Sequence, residues 1–171
     1  MNKPRPGERL YRALRDQGYE VFASLPDNWL VDVLRCLDAD PEICHIPVTH
    51  EAEAVGICVG ARAGGKRAAA VIQNSGLLDL GAALTSLAIW YGIPFLMLLS
   101  YRGDFGDDRP YQVTQGAATE AVLKAYGIRY RIVDSPDHLS RRVREAHLLA
   151  EASEQPVALL LTSRALLAGG P

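Results

Sequence analysis

The sequence predicts an α/β fold, with a six-stranded parallel sheet covered by helices in a three-layer α/β/α sandwich. Three observations predict it. Strand-like and helix-like segments alternate along the whole chain, which calls for crossover connections and so for parallel neighbours. Two short runs, Arg67–Gln73 and Phe95–Ser100, lack the alternation of half-exposed strands and suit strands buried on both faces. Gly, Pro, Asn or Asp punctuates the junctions between segments. With 171 residues, 49% of them hydrophobic and 22% charged, the chain can build one core without disulfides, and wholesale disorder is excluded.

The elements follow in order. Glu8–Gln17 has helical periodicity and ends near Gly18, and Glu20–Ser24 is a strand closed by Leu25-Pro26. Asp27 can accept from free backbone N–H groups and start a helix running to about Leu37. A short strand, Ile43–Val48, precedes a helix capped by Thr49 or His50, which runs to Arg62 and stops at Gly64-Gly65. After the Arg67–Gln73 strand, Asn74-Ser75-Gly76 turns into a helix reaching Tyr91-Gly92. The Phe95–Ser100 strand leads into a polar stretch, Tyr101–Gln115, then a helix (Ala117–Tyr126), a strand (Tyr130–Val133), a helix (His138–Ala152) and a last strand (Val157–Thr162). Residues 1–171 therefore read as a single domain, with 164–171 as a flexible tail. Function in such folds sits beyond the carboxyl ends of the strands. Here those ends are Ser24–Asn28, Val48–Glu51, Gln73–Gly76 and Ser100–Gln115, which hold the sharpest polar residues of the chain.

Charge and targeting signals narrow the partners. Lys and Arg total 18 against 20 Asp and Glu, a net charge of −2, and the signs are interspersed. No basic stripe suits nucleic acid or a lipid surface. The longest apolar stretches, such as Ile93–Leu99, are too short to span a bilayer, and Met1–Pro6 lacks the apolar core of a signal peptide. Cys36, Cys44 and Cys58 form no CxxC; an odd number in apolar settings reads as reduced, buried thiols of a cytoplasmic protein.

Three familiar patterns fail on inspection. Gly60–Lys66 has part of a phosphate-loop spacing, but Arg67 stands where Ser or Thr must hold magnesium, and the stretch ends a helix instead of opening one. Ser75, Asp134 and His138 follow the chain order of an α/β-hydrolase triad, yet Gln73 and Leu77 stand where a nucleophile elbow needs small residues. His45, His50, His138 and His147 show no metal-ligand spacing, and His138 and His147 read as members of a solvated helix.

The most unusual segment is Thr49–Ala61, where Glu51 and Glu53 open a helix that is then apolar on every side and so expected to be buried all round. Helical phase alone does not separate a buried acid from two solvated charges that favour the positive helix end. His50-Glu51-x-x-Ala54-x-Gly56, then Gln73-Asn74-Ser75-Gly76-Leu77, then Ser100-Tyr101-Arg102-Gly103 at a strand end form an ordered trio. This trio resembles the pyrimidine-binding domain of thiamine diphosphate enzymes, a flavodoxin-like fold. Within that superfamily it is most similar to the α subunit of the sulfopyruvate decarboxylase and phosphonopyruvate decarboxylase family, from Glu8 to about Thr162.

The resemblance implies a catalytic role for Glu51: a hydrogen bond to the aminopyrimidine ring that favours the imino tautomer, whose nitrogen activates the thiazolium carbon. A carboxyl kept in a dry pocket can donate such a bond. Glu53 inherits no catalytic role. The resemblance further places Gln73, Asn74 and Ser75 at the cofactor or substrate carboxylate. The family's magnesium and diphosphate motif, Gly-Asp-Gly followed by a distant Asn, is absent; Gly103-Asp104-Phe105 comes nearest and no Asn follows Asn74. The diphosphate of thiamine diphosphate and its Mg2+ would therefore be held by a β subunit carrying the Gly-Asp-Gly domain, with the site between chains in an assembly of two α and two β chains or larger.

The implied reaction is decarboxylation of 3-sulfopyruvate to sulfoacetaldehyde, with phosphonopyruvate to phosphonoacetaldehyde as the alternative. More distant alternatives are a serine hydrolase using Ser75 and a non-catalytic binding module. The substrate's second anionic head needs cationic or amide donors, and Arg102 suits a tetrahedral oxyanion; a surface arginine paired with Asp104 or Asp107 is the competing reading. Asp27 and Asn28 align with a polar strand-end loop of related decarboxylases, although Asp27 could equally be a helix cap. Gln112 and Gln115 lie where those relatives carry imidazoles. Gly103–Arg109 reads either as a lid or as a passive loop.

Overall fold

Strong β-formers and small apolar residues build six parallel strands, β1 (Tyr19–Ser24), β2 (Cys44–Pro47), β3 (Arg67–Gln73), β4 (Leu96–Ser100), β5 (Arg129–Val133) and β6 (Val157–Leu161), in a computed structural model that describes residues 4–167. Their order in the sheet is β2-β1-β3-β4-β6-β5. The centre is the most apolar part: every residue of β4 and β6 is buried, whereas the edge strands are partly open, β2 at Cys44 and Pro47 and β5 at Arg129, Arg131 and Ile132. Chain direction reverses its march across the sheet between β1 and β3, the place where ligands gather in open α/β folds.

Helices α1 (Pro6–Asp16), α2 (Val31–Ala39), α3 (Glu51–Ala63), α4 (Gly81–Ala83), α5 (Pro110–Ala125), α6 (Leu139–Ser153) and α7 (Ser163–Leu166) cover the sheet. Side-chain alternation splits the core in two. Ala69 and Val71 pack with Leu10, Leu14, Leu30 and Val143 from α1, the turn before α2, and α6. Ala68, Ala70 and Ile72 pack with Ala54, Val55, Cys58, Leu84 and Leu123 on the opposite face. No helix among the described residues is long and apolar enough to cross a membrane.

Several expectations need correction. Asp27 does not start the second helix directly: its Oδ1 accepts from the Trp29 N–H at 2.8 Å, a local turn intervenes, and α2 begins at Val31. The expected continuous helix after Gly76 is broken into a 3-10 turn (Asn74–Leu78), α4 and a π-helical run (Leu84–Ile89). Thr85 and Ser86 hydroxyls donate to the carbonyls of Gly81 and Ala82 within that run. Helix α5 begins at Pro110, well before the expected Ala117, with proline at a position that has no N–H to lose.

Helix α3 is buried on one face only; Gly56 and Gly60 are exposed with open space beside them. Ala165 and Leu166 are buried in α7, so the expectation of a flexible tail from residue 164 is corrected for 164–167, and 168–171 lie outside the described residues. Only Cys58 is buried; Cys36 is half-buried and Cys44 exposed, all three as free thiols. His147 is also buried instead of solvated, 3.3 Å from the Tyr19 hydroxyl.

Candidate active site

The carboxyl ends of β1, β3 and β4 converge on one polar cluster that the helix start at residue 51 also faces. The two glutamates of that helix separate cleanly. Glu53 folds back: its carboxylate accepts from the Thr49 N–H (3.0 Å) and hydroxyl (3.1 Å), bonds that hold it below the usual carboxylate range. Its role is that of a helix-start charge. Glu51 points elsewhere. Half-buried, it lies so close over Gly76 that a Cβ there would sit 2.3 Å from its Cγ and 2.5 Å from Oε1. Among the described residues its carboxyl has no hydrogen-bond or ion-pair partner. His50 supplies the cap, its Nδ1 accepting from the Ala52 N–H at 3.2 Å, so the acid is not needed for that task.

The loop after β3 divides its labour too. Gln73 donates through Nε2 to Ser75 Oγ (2.7 Å) and to Gln112 Oε1 (2.8 Å), which joins the β3 end to α5. Gln73 and Ser75 remain half-exposed, while Gln112 is buried. Asn74 differs from the expectation of a presented cofactor contact. Fully buried, its amide donates to the Arg102 carbonyl (2.9 Å) and Thr119 Oγ1 (2.8 Å), and its oxygen accepts from the Arg102 N–H (3.1 Å). With both ends engaged, the Asn74 side chain is a brace that locks β3, the β4 end and α5 together.

Arg102 is not a surface arginine. Its guanidinium donates through Nε and Nη2 to Asp107 (2.8 and 3.2 Å) and through Nη1 to Asp27 (3.2 Å), and it lies 4.3 Å above the Trp29 ring. Burial alone would lower its pKa, but the two carboxylates outweigh this and raise it. Asp107 moves the opposite way: burial opposes its charge, yet Arg102 and the Gly103 N–H hold it below the ordinary carboxylate range. Asn28 is exposed beside this group. A cleft of about 670 Å³ opens there, lined by Asn28, Trp29, Arg102, Asp107, Arg109 and Tyr111 among others. Gln115 is half-buried and its Oε1 is a buried acceptor without a partner in the structure.

Sequence reasoning missed Trp29, Thr119 and the closeness of Gly76 to Glu51; only the glycine left a signal, as a residue without Cβ at a strand-to-helix turn. Ser75 is engaged by Gln73, whereas His138 lies 3.5 Å from Asp134 at the β5 side, so the hydrolase triad is not assembled. Among the described residues, no three His, Cys, Asp or Glu side chains cluster as metal ligands.

Comparison with known proteins decides the family. Sulfopyruvate decarboxylase subunit alpha of Methanococcus maripaludis is 38% identical over 154 residues, 90% of this chain and 92% of that protein. The chain belongs to the sulfopyruvate decarboxylase subunit alpha family. A second member, from Methanothermobacter thermautotrophicus, is 37% identical over 90% of this chain and 93% of its own length. Phosphonopyruvate decarboxylase of Streptomyces viridochromogenes is more distant from the family member described here, 29% identical over 154 residues and 39% of its length. No family model matches the sequence. The fold of this chain recurs in a 2-oxoglutarate:ferredoxin oxidoreductase from Magnetococcus marinus, with a TM-score of 0.74 at 14% identity over 96% of this chain and 30% of that one. At that identity the likeness speaks for fold alone.

Proposed function

We propose that this chain is the α subunit of a heteromeric, thiamine diphosphate-dependent decarboxylase that converts 3-sulfopyruvate to sulfoacetaldehyde and carbon dioxide. The observation that carries the reading is the unpartnered Glu51 carboxyl, seated on Gly76 at the strand ends of a chain from this family. Its chemistry fits the pyrimidine end of the cofactor: a half-buried acid with no internal partner can keep a hydrogen bond at a ring nitrogen. Gln73 and Ser75, half-exposed in the loop that leads into Gly76, add neutral donors and acceptors. When bound, the cofactor supplies the electron-accepting thiazolium that lets carbon dioxide depart.

The sequence contains no Gly-Asp-Gly, which supports assigning the diphosphate and Mg2+ to a partner subunit. The relatives' designation as a subunit alpha supports the same assignment. On the substrate side, Arg102 recognises the anionic head, Asp27 and Trp29 position the guanidinium, Asn28 adds a polar group to the cleft wall, and Gln112 acts from behind it through its bond to Gln73. The unit is one pyrimidine-binding domain acting in the cytoplasm. Phosphonopyruvate is the second reading, favoured by the match to the Streptomyces enzyme.

The test is to co-purify the chain with its partner and assay both oxo acids with thiamine diphosphate and magnesium. The complex should favour 3-sulfopyruvate in kcat/KM, and Glu51→Gln should lower kcat by about a hundredfold or more. Full activity of the Glu51→Gln complex would refute the assigned role. Preference for phosphonopyruvate would select the second reading.

A further inference from the structure

Arg102 is over-neutralised. Two carboxylates, Asp27 and Asp107, share one guanidinium, and all three side chains are at most 8% exposed. A dianionic substrate approaching this group meets a net negative charge, so Arg102 can serve it only if a carboxylate gives way. The two are not equivalent. Asp27 is tied into the turn after β1 through the Trp29 N–H and offers Arg102 a single oxygen. Asp107 occupies the bidentate Nε–Nη2 edge, the geometry that a sulfonate would use. It sits on a short segment held by polar bonds more than by packing: Asp107 accepts from the Gly103 and Arg109 N–H groups, and Phe105 stands 88% exposed. Gly106, with φ of 93°, supplies a pivot immediately before it. The cleft of about 670 Å³ lies against both Arg102 and Asp107.

We propose that Asp107 is an internal placeholder for the substrate's anionic head: the incoming sulfonate takes the Nε–Nη2 edge of Arg102, and Asp107 leaves it together with the 104–109 segment. The inference rests on the reading of Arg102 as the anion contact and makes Asp107 a residue that sets affinity and specificity. It accounts for a neutralised arginine in a site that must bind an anion. Monoanionic oxo acids, which lack the second head, would fail to release the segment.

Hydrogen exchange on the full complex tests this, with 3-sulfopropanoate as an unreactive dianion. The amides of Gly103 and Arg109, which Asp107 holds, should exchange faster when the dianion is added. Asp107→Asn should lower KM for 3-sulfopyruvate roughly threefold to tenfold, since a competitor charge is removed. Asp108→Asn, the same charge change on an exposed neighbour, should have a smaller effect. A raised KM in Asp107→Asn, or unchanged exchange of the two amides on adding the dianion, would overturn the proposal; the exchange arm stands even if the variant does not fold. If the complex decarboxylates neither oxo acid while the dianion still frees the amides, the functional reading falls and the placeholder remains. Intact decarboxylation with both amides still protected sinks the placeholder alone.

Discussion

Two glutamates two positions apart show how much one side chain's direction decides. Glu53 turns back to Thr49, and Glu51 lies over Gly76. A Cβ at residue 76 would collide with the Glu51 side chain, not with backbone, so the acid can swing aside while the helix stays. Gly76→Ala should therefore cost the complex about tenfold or more in kcat, with little change in Tm; a large drop in Tm with activity per folded enzyme preserved would contradict this. Asn74 behaves in the opposite manner. Asn74→Ala removes the amide donor that the buried Arg102 carbonyl and Thr119 Oγ1 share, so urea unfolding should show a loss of roughly 2–3 kcal/mol. That Asn74 matters was legible from its place in the Asn-Ser-Gly turn; that it acts as a brace was not, because its partners lie just after β4 and on α5, remote in sequence.

At the level of elements, the central strands were readable and the helix boundaries were not. The runs now seen as β3 and β4 declare themselves because both faces are covered, so no alternation is needed. The start of α5 is hidden because its first turns are polar and fixed by backbone packing. A Cβ on Gly103 would stand 2.0 Å from the Gln112 carbonyl oxygen, and one on Gly116 would stand 2.5 Å from the Gly103 oxygen. Only two glycines allow that approach, and Gly103 also has φ of 76°. Gly116→Ala should destabilise by about 2–4 kcal/mol, measured by chemical denaturation, and loosen the Gln73–Gln112 bond that aligns the site. Retained stability in that variant would show that α5 can shift without cost.

For the whole molecule, the uncovered side is as informative as the core. Helix α3 packs beside the 81–89 segment on one face, while Gly56, Gly60, Leu87 and Trp90 face outward, Trp90 being 77% exposed. We expect a partner subunit there: Trp90→Asp should leave the Tm of the chain nearly unchanged but weaken co-purification at least about tenfold. Stability should also depend on pH through His147, which joins α6 to Tyr19. Burial first, then the Arg67 charge, lower its pKa below the ordinary 6.5, with Glu151 opposing. The unfolded chain then binds the proton at higher pH than the folded one, so this contribution is present above about pH 6.5 and is lost as pH falls. Tm should drop less between pH 7.5 and pH 5 in His147→Gln than in the natural sequence; equal slopes would remove His147 from that account.

The sequence by itself determined the sheet, its parallel sense, the set of strand ends that carry the candidate site and the family resemblance, because apolar runs, turn residues and short motifs are local. Tertiary structure decided which glutamate meets Gly76, that Arg102 is shared by two carboxylates, and that one face of α3 is left open. Those outcomes depend on distances between segments far apart in the chain, which packing sets and no local pattern encodes.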